Sequence, residues 1–205
     1  MLPEEHCLPK TLHEMRRLMN ELNMDYKKIE CCRKGCLLFW KQFADDKYCT
    51  ICKASRYEEV TGKDGQVRQS KVPMKILRYL PFIKRIQRLY LSEETAKQMT
   101  WHKYGKRFED EHKNIKMGHP SDGTAWKNFD DKHPEWAADA RNVRIAIATD
   151  GFNLYGMSAA NYSCWPMFVI PLNLPPGVLM TRKTMFLSLI IPGPDYPGKN
   201  LSVYM

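Results

Sequence analysis

The sequence predicts an α+β fold in three parts: a helix with a cysteine-rich metal module, a basic helical region, and a C-terminal group of apolar strands. Three observations carry this expectation. Cys32, Cys36, Cys49 and Cys52 are spaced C-x3-C-x12-C-x2-C. Arg68 to Arg88 contains seven basic residues and no acid. The runs Val143 to Thr149, Trp165 to Ile170 and Met185 to Ile191 have the length of strands and end at or near Gly or Pro.

Composition sets the outer limits. A chain of 205 residues, 43% hydrophobic and 27% charged, has the make-up of an ordinary globular protein of one large or two small domains. The longest apolar stretch, Met185 to Ile191, includes Ser188 and stops at Pro192, too short for a membrane span. The acidic start Met1-Leu2-Pro3-Glu4-Glu5 has no apolar segment of the kind a secretory leader needs. The expected location is therefore nuclear or cytoplasmic rather than secreted, and a membrane partner is not expected. Seven cysteines without an export signal suggest thiols and metal rather than disulfides. The net charge of +9 is uneven: residues 53–118 carry sixteen basic and eight acidic side chains, while the flanking segments are nearly balanced. Such asymmetry points to a polyanion.

Thr11-Leu12-His13-Glu14 has the form of a capping box, and Leu12, Met15, Leu18, Met19 and Leu22 then share one helical face. A helix is expected from about Leu12 to Leu22, its stripe packed on a core. The four cysteines that come next can present thiolates tetrahedrally, the arrangement Zn²⁺ prefers, with Leu37, Leu38, Phe39 and Trp40 as a small apolar shell. Cys31 offers an alternative register to Cys32. This module reads as a structural zinc ribbon.

Lys63-Asp64-Gly65 marks a turn. Pro73 suits the first turn of a helix carrying Ile76, Leu77 and Leu80. After Pro81 a second helix would carry Phe82, Ile83, Ile86 and Leu89, with Lys84, Arg85 and Arg88 on its other face. Ser92 can cap a third helix reaching about Trp101-His102. The candidate DNA contacts of this region are Arg68, Lys71, Lys75, Arg78, Lys84, Arg85 and Arg88, since each cation set against a phosphate releases counterions. Gly105 to Gly118 reads as a charged connection. Ser121 can cap a short helix through Trp126 and Phe129, which with Trp136 are expected to be core anchors. His102, His112, His119 and His133 show no paired ligand spacing and are read as structural.

Val143, Ile145, Ile147 and Thr149 alternate with Arg144, Ala146, Ala148 and Asp150, and Gly151 ends the strand. Asp150 thus stands at a rigid strand end, where a carboxylate can bind a metal with little reorganisation. The competing reading is that it only caps the Gly151 turn.

The residues Leu8-Pro9-Lys10, Leu37-Leu38-Phe39-Trp40-Lys41, Cys49-Thr50-Ile51-Cys52-Lys53-Ala54-Ser55-Arg56-Tyr57 and Lys71-Val72-Pro73 resemble, in order, plant CACTA (En/Spm-type) transposases. So do Leu77-Arg78-Tyr79, Gln87-Arg88-Leu89-Tyr90, His119-Pro120-Ser121-Asp122-Gly123 and Thr149-Asp150-Gly151-Phe152-Asn153. Trp165-Pro166, Asn173-Leu174-Pro175-Pro176 and Ile191-Pro192-Gly193-Pro194 extend the resemblance over nearly the whole chain. It implies a catalytic domain similar to ribonuclease H, in which three acids hold two Mg²⁺ or Mn²⁺ ions for phosphodiester cleavage and strand transfer. Asp150 matches the first of those acids.

The resemblance also implies a departure. The second acid of such enzymes lies beyond a helix that follows the third strand, and this sequence stops near the start of that helix. Asp195 lies in a Pro-Gly loop and is no substitute. The expected architecture is residues 1–60 as helix and zinc ribbon, 61–118 as a basic helical DNA-binding region, and 119–205 as the first three strands of an incomplete ribonuclease H-like domain. Such a truncated chain would bind DNA, associate with other transposase subunits, take no small-molecule substrate, and not catalyse alone. Its three-stranded sheet would present an open apolar face and an unpaired edge. The alternative function is a non-enzymatic zinc-ribbon module for nucleic-acid or protein binding.

Overall fold

The computed structural model describes residues 9, 11–21, 26–107, 117–153 and 162–205. Leu22, His112 and most of the Gly105 to Gly118 connection lie outside the described residues.

Helix α1 (Leu12–Glu21) starts as its sequence demands. The Glu14 amide donates to Thr11 Oγ1 at 3.1 Å and the Thr11 amide donates back to Glu14 Oε2 at 3.3 Å. This reciprocal pair satisfies two amides that have no intrahelical acceptor. The stripe behaves differently from the expectation. No residue of α1 is buried, and Leu12 is 63% exposed.

Eight strands are present among the described residues: β1 (Lys27–Glu30), β2 (Tyr57–Thr61), β3 (Val67–Pro73), β4 (Ile76–Tyr79), β5 (Ile145–Thr149), β6 (Phe152–Asn153), β7 (Ser163–Pro171) and β8 (Phe186–Ile191). Hydrogen bonding gives the order β1-β4-β8-β7-β5, with β6 also on β7, while β2 and β3 form a separate antiparallel hairpin. The expected Lys63-Asp64-Gly65 turn closes that hairpin, and the Gly62 amide donates to the Gln66 carbonyl at 2.9 Å. The expected helix after Pro73 is absent. That segment is the end of β3 followed by β4. Ile76, Leu77 and Leu80 fit a helical face over five residues, but antiparallel pairing with β1 and β8 decides the outcome: Leu77 stands opposite Ile29 and Tyr79 opposite Leu189. The basic region is therefore part strand and part helix, and the chain is a mixed α+β fold with antiparallel sheets.

The described chain divides into two compact units. The first comprises residues 1–81, 149–167 and 188–205. Its core gathers Ile29, Cys31, Leu77, Met167, Leu189, Ile191 and Tyr204. Burial of such side chains at about 25 cal/mol per Å² is what offsets the chain entropy of short strands.

The second unit comprises residues 82–148 and 168–187. Helix α2 (Ile83–Arg88) buries Ile86 against Met99, Val169 and Leu174. Ser92 caps α3 (Glu93–Gln98), its Oγ accepting from the Thr95 amide at 3.2 Å. The expected single helix to His102 breaks at Thr100, which leaves helical geometry, and α4 (Trp101–Tyr104) comes after it. Before α5 (Thr124–Lys132) comes a 3-10 turn, Pro120–Asp122. His119 caps this turn, and α5 starts from Gly123 with no side-chain cap, so the expected Ser121 cap of the helix does not form. The Ser121 amide donates to His119 Nδ1 at 3.1 Å and the His119 amide donates to Asp122 Oδ2 at 2.9 Å. His119 Nε2 meets the Leu174 carbonyl at 3.0 Å, in keeping with a structural histidine. Helix α6 (Pro134–Ala137) closes the group.

Two side chains set where β5 begins. Asn173 is fully buried; its Oδ1 accepts from the Arg144 amide and its Nδ2 donates to the Asn142 carbonyl, both at 2.9 Å. The Arg144 guanidinium lies 4.0 Å from the Trp126 ring centre, 4.6 Å from Phe129 and 5.2 Å from Trp136, and it pairs with Asp130. The three aromatics therefore enclose a cation, a favourable use of their π faces. Phe129 remains 41% exposed, more than a core anchor would be. Along β5 itself Ile145 and Ile147 are exposed, at 37% and 48%. The expected three-stranded sheet is not what forms: β4 and β1 extend it beyond β8 and β6 also pairs with β7, and the exposed apolar residues lie on β5 at the other end of the order.

The amide of Asn173 gives a direct stability test. Asn173→Leu keeps the volume but leaves the Arg144 amide and the Asn142 carbonyl without their partner. Urea denaturation should show a loss of about 2–3 kcal/mol. A loss below about 0.5 kcal/mol would show that β5 is positioned by other contacts.

Candidate metal centre and the Asp150 strand end

The thiol sulfurs of Cys32, Cys36, Cys49 and Cys52 all lie within 4.8 Å of one another. Cys32 Sγ and Cys52 Sγ are 3.4 Å apart. Four thiolates about 2.3 Å from one Zn²⁺ stand about 3.8 Å from each other, so this cluster has the size of a tetrahedral site. Among the described residues it is the only group of three or more His, Cys, Asp or Glu side chains placed to hold a metal ion. The structure thus selects Cys32 over Cys31. Cys31 turns instead into the core beside Tyr204, where burial pushes its thiol up to about 12.

Two tight turns bring the pairs together. In the first, the Gly35 amide donates to the Cys32 carbonyl at 2.8 Å, and Gly35 has φ +71°, which glycine adopts without strain. In the second, the Lys53 amide donates to the Cys49 carbonyl at 2.9 Å, and Lys53 holds φ +61° with a side chain present. A non-glycine residue in that region persists only where its surroundings hold it. The amide of Cys52 points at Cys49 Sγ, 3.4 Å away. Leu37 and Phe39 complete a core so small that cysteines supply half of its buried residues.

The thiols perturb one another. Burial, then the neighbouring Cys52 and Cys32, pushes Cys36 up to about 12. Burial also acts on Cys52, but the Ala54 amide and donation from the other thiols outweigh it and bring Cys52 down to about 7. One thiolate is stabilised by the rest. A divalent ion that displaces the remaining protons would satisfy all four, and soft sulfur donors suit a metal such as zinc.

Arg56 binds this module to the sheet. Its guanidinium pairs with Glu30 of β1, donates to the Ala44 and Asp46 carbonyls at 2.6 and 2.9 Å, and lies 4.8 Å from the Phe39 ring centre. The Cys31 amide donates to the Lys75 carbonyl at 2.9 Å, and the Met74 amide to the Arg56 carbonyl at 2.9 Å. The second cysteine pair therefore leads directly into the base of the β2–β3 hairpin.

Of the candidate DNA contacts, Arg68 and Lys71 are exposed on that hairpin, Lys75 is half-buried beside it, and Arg78 is exposed on β4. Arg68 is paired with Asp64. Lys84, Arg85 and Arg88 lie on α2 in the other unit, and Arg85 spends its guanidinium on the Leu187 carbonyl at 3.1 Å. Sequence reasoning passes over Lys28. It stands directly opposite Arg78 across β1 and β4, both exposed. Like charges opposed in this way repel and are stabilised by an anion. That signal exists only once β4 is recognised as a strand.

Asp150 lies where expected, at the end of β5, and is exposed. Its Oδ1 accepts from the Gly151 amide at 2.7 Å, so the carboxylate does cap the turn. Thr149 Oγ1 donates to the Pro166 carbonyl at 3.0 Å, and β6 then pairs with β7, placing Phe152 opposite Cys164. Gly151 is required by contact: a Cβ there would come within 2.6 Å of the Trp165 indole. Asp150 belongs to no group of three metal-ligating side chains among the described residues.

Residues 114–205 match the family model described as transposase family tnp2. No curated protein and no solved structure matches the chain. No helix among the described residues is long and apolar enough to cross a membrane.

Purified protein should contain about one zinc per chain by elemental analysis, and Cys49→Ser combined with Cys52→Ser should remove it. Full zinc retained in that double variant would exclude the site. Metal must displace protons from thiols such as Cys36, held at about 12, so occupancy at fixed free zinc should fall as pH falls. Occupancy independent of pH between about 5 and 8 would point to ligands other than thiolates.

Proposed function

We propose that the chain is a transposase-derived, DNA-binding protein of CACTA type, acting in the nucleus, with a structural zinc ribbon and a ribonuclease H-like strand group. The match of residues 114–205 to the tnp2 transposase family is the observation that carries this reading. The strand order β8-β7-β5, with Asp150 at the end of β5, supports the ribonuclease H-like part. The metal cluster supports the ribbon.

In this reading the ribbon supplies a rigid base for the β2–β3 hairpin and for β1 and β4. Lys28, Lys71 and Arg78 are exposed, stand in no ion pair among the described residues, and neutralise DNA phosphates. Arg68 and Lys75 add to the positive field of that unit, Lys84 and Arg88 are candidate contacts of the other unit, and Arg85 is committed to the Leu187 carbonyl. Binding through phosphates is salt-sensitive and carries little sequence selectivity.

Asp150 is, in the same reading, the first of the acids that hold Mg²⁺ or Mn²⁺. A single carboxylate cannot fix two octahedral ions, so cleavage and strand transfer require further carboxylates from outside the described residues, other transposase subunits included. Once bound, two such ions would activate the attacking oxygen and stabilise the leaving one. The part of Asp150 is to stand ready at a strand end fixed by Thr149, Gly151 and Trp165.

Duplex binding measured from about 50 to 300 mM salt tests the first part. If about four phosphates are engaged, log K should fall against log salt with a slope near −3.6. Replacing Lys28, Lys71 and Arg78 together with Ala should reduce the slope by about 2.7. An unchanged slope would place the contact elsewhere. For the second part, the 205-residue chain should not nick supercoiled DNA in Mg²⁺ or Mn²⁺, and Asp150→Asn should make no difference. Metal-dependent nicking that disappears in Asp150→Asn would show that this chain holds a complete site.

A further inference from the structure

A second polar site lies within residues 82–148, among α4, α5 and α6. It is a cleft of about 230 Å³. Four cations line it, Lys103, Arg107, Lys127 and Arg144, against two acids, Asp130 and Asp139. Both acids are already engaged, Asp130 by Arg144 and Asp139 by Arg141. Lys103 Nζ is held by the Ala137 and Ala138 carbonyls at 3.1 and 2.6 Å. Arg107 donates to the His102 carbonyl and stands 3.4 Å from Asp122. The balance of charge at the cleft is positive.

Hydrogen bonding there is incomplete. His102 Nδ1 and Arg144 Nε are buried without a hydrogen-bond partner, Arg107 Nη1 has only its ion pair with Asp122, and all three belong to residues lining this one cleft. Buried polar nitrogens left unsatisfied are costly, so their presence around one cavity favours a polar ligand there. The Arg144 guanidinium is fixed by Trp126, Phe129 and Trp136, so it would bind with little loss of side-chain freedom. Lys127 is exposed and has no partner among the described residues, which leaves its charge available at the mouth.

We propose that this cleft binds a phosphate group through Arg107, Arg144, Lys127 and His102. A tetrahedral anion with several acceptor oxygens can meet donors arriving from α4, α5 and the start of β5 at once. An apolar ligand would leave those donors unpaired, and a cation would be repelled. The surroundings of His102 agree with this: burial first, then the charge of Arg144, holds its imidazole down at about 4, so the site carries a positive potential around a neutral ring. A phosphate in the cleft would reverse part of that effect. The group has two sources, a free phosphate and the phosphodiester backbone of DNA.

The test uses the full chain, with the His102 ring signal followed by NMR as pH is varied. Inorganic phosphate should raise the His102 pKa from about 4. Lys127→Gln should weaken phosphate binding about tenfold, the effect of losing one charge-assisted contact of about 1.4 kcal/mol. Lys132→Gln, a charge change on the same helix outside the cleft, should leave it unchanged. No shift of His102 with phosphate, or equal effects of the two variants, would overturn the proposal. A short duplex that displaces phosphate in the wild type identifies DNA backbone as the source; failure to displace it identifies a free anion. The hairpin contact is read separately by the salt slope, so either site can fail without the other.

Discussion

Four sulfur atoms within 4.8 Å of one another impose the tightest constraint on the first unit. Thiols so close cannot all ionise without a counter-charge, and a lone buried thiolate is costly. A divalent ion among them would supply that counter-charge to all four sulfurs. The apolar contribution is small, since Leu37 and Phe39 are the only buried non-cysteine residues of that cluster. A metal ion held by the four cysteines would contribute its binding energy directly to folding. The chain beyond the cysteines inherits the constraint. Lys53 keeps a left-handed backbone directly after Cys52, Arg56 ties the second turn to β1, and the Met74 amide returns to Arg56. The hairpin base and the β1–β4 pair are thereby anchored to the cysteines.

The second unit depends on a different device. Asn173 supplies side-chain hydrogen bonds where the backbone has no strand partner, and Arg144 fills a space among three aromatic rings that an aliphatic side chain would ordinarily fill. An arginine so placed is a fixed cation rather than a mobile surface charge. It organises the start of β5 and, by the same geometry, one wall of the polar cleft.

Much of this is legible in the sequence, for reasons that differ from residue to residue. The four-cysteine cluster can be read because cysteine chemistry is specific and the two pairs are close in sequence. The Thr11–Glu14 capping box and the Lys63-Asp64-Gly65 turn are local, so spacing alone reveals them. The strands at Ile145, Ser163 and Phe186 are longer or bounded by Gly and Pro. β4 reads as helix because four residues do not distinguish a strand from a helical turn, and its pairing partners lie about fifty and over a hundred residues away. The His119 cap escapes sequence reasoning because histidine is not a habitual capping residue. The role of Arg144 is hidden by alternation, since a polar residue in a strand is first read as facing water.

Asp150 combines both readings of its position. It caps the Gly151 turn and it stands exposed at a strand end, so the turn-capping reading is met and the carboxylate remains accessible to solvent. If the chain binds DNA as proposed, a metal held by the four cysteines would hold the contacting surface together. The most direct measurement is duplex binding by fluorescence anisotropy on the same preparation with metal bound, after removal by a chelator, and after zinc is restored. Binding should be lost without metal and recovered with zinc. Equal affinity in the metal-free chain would contradict it.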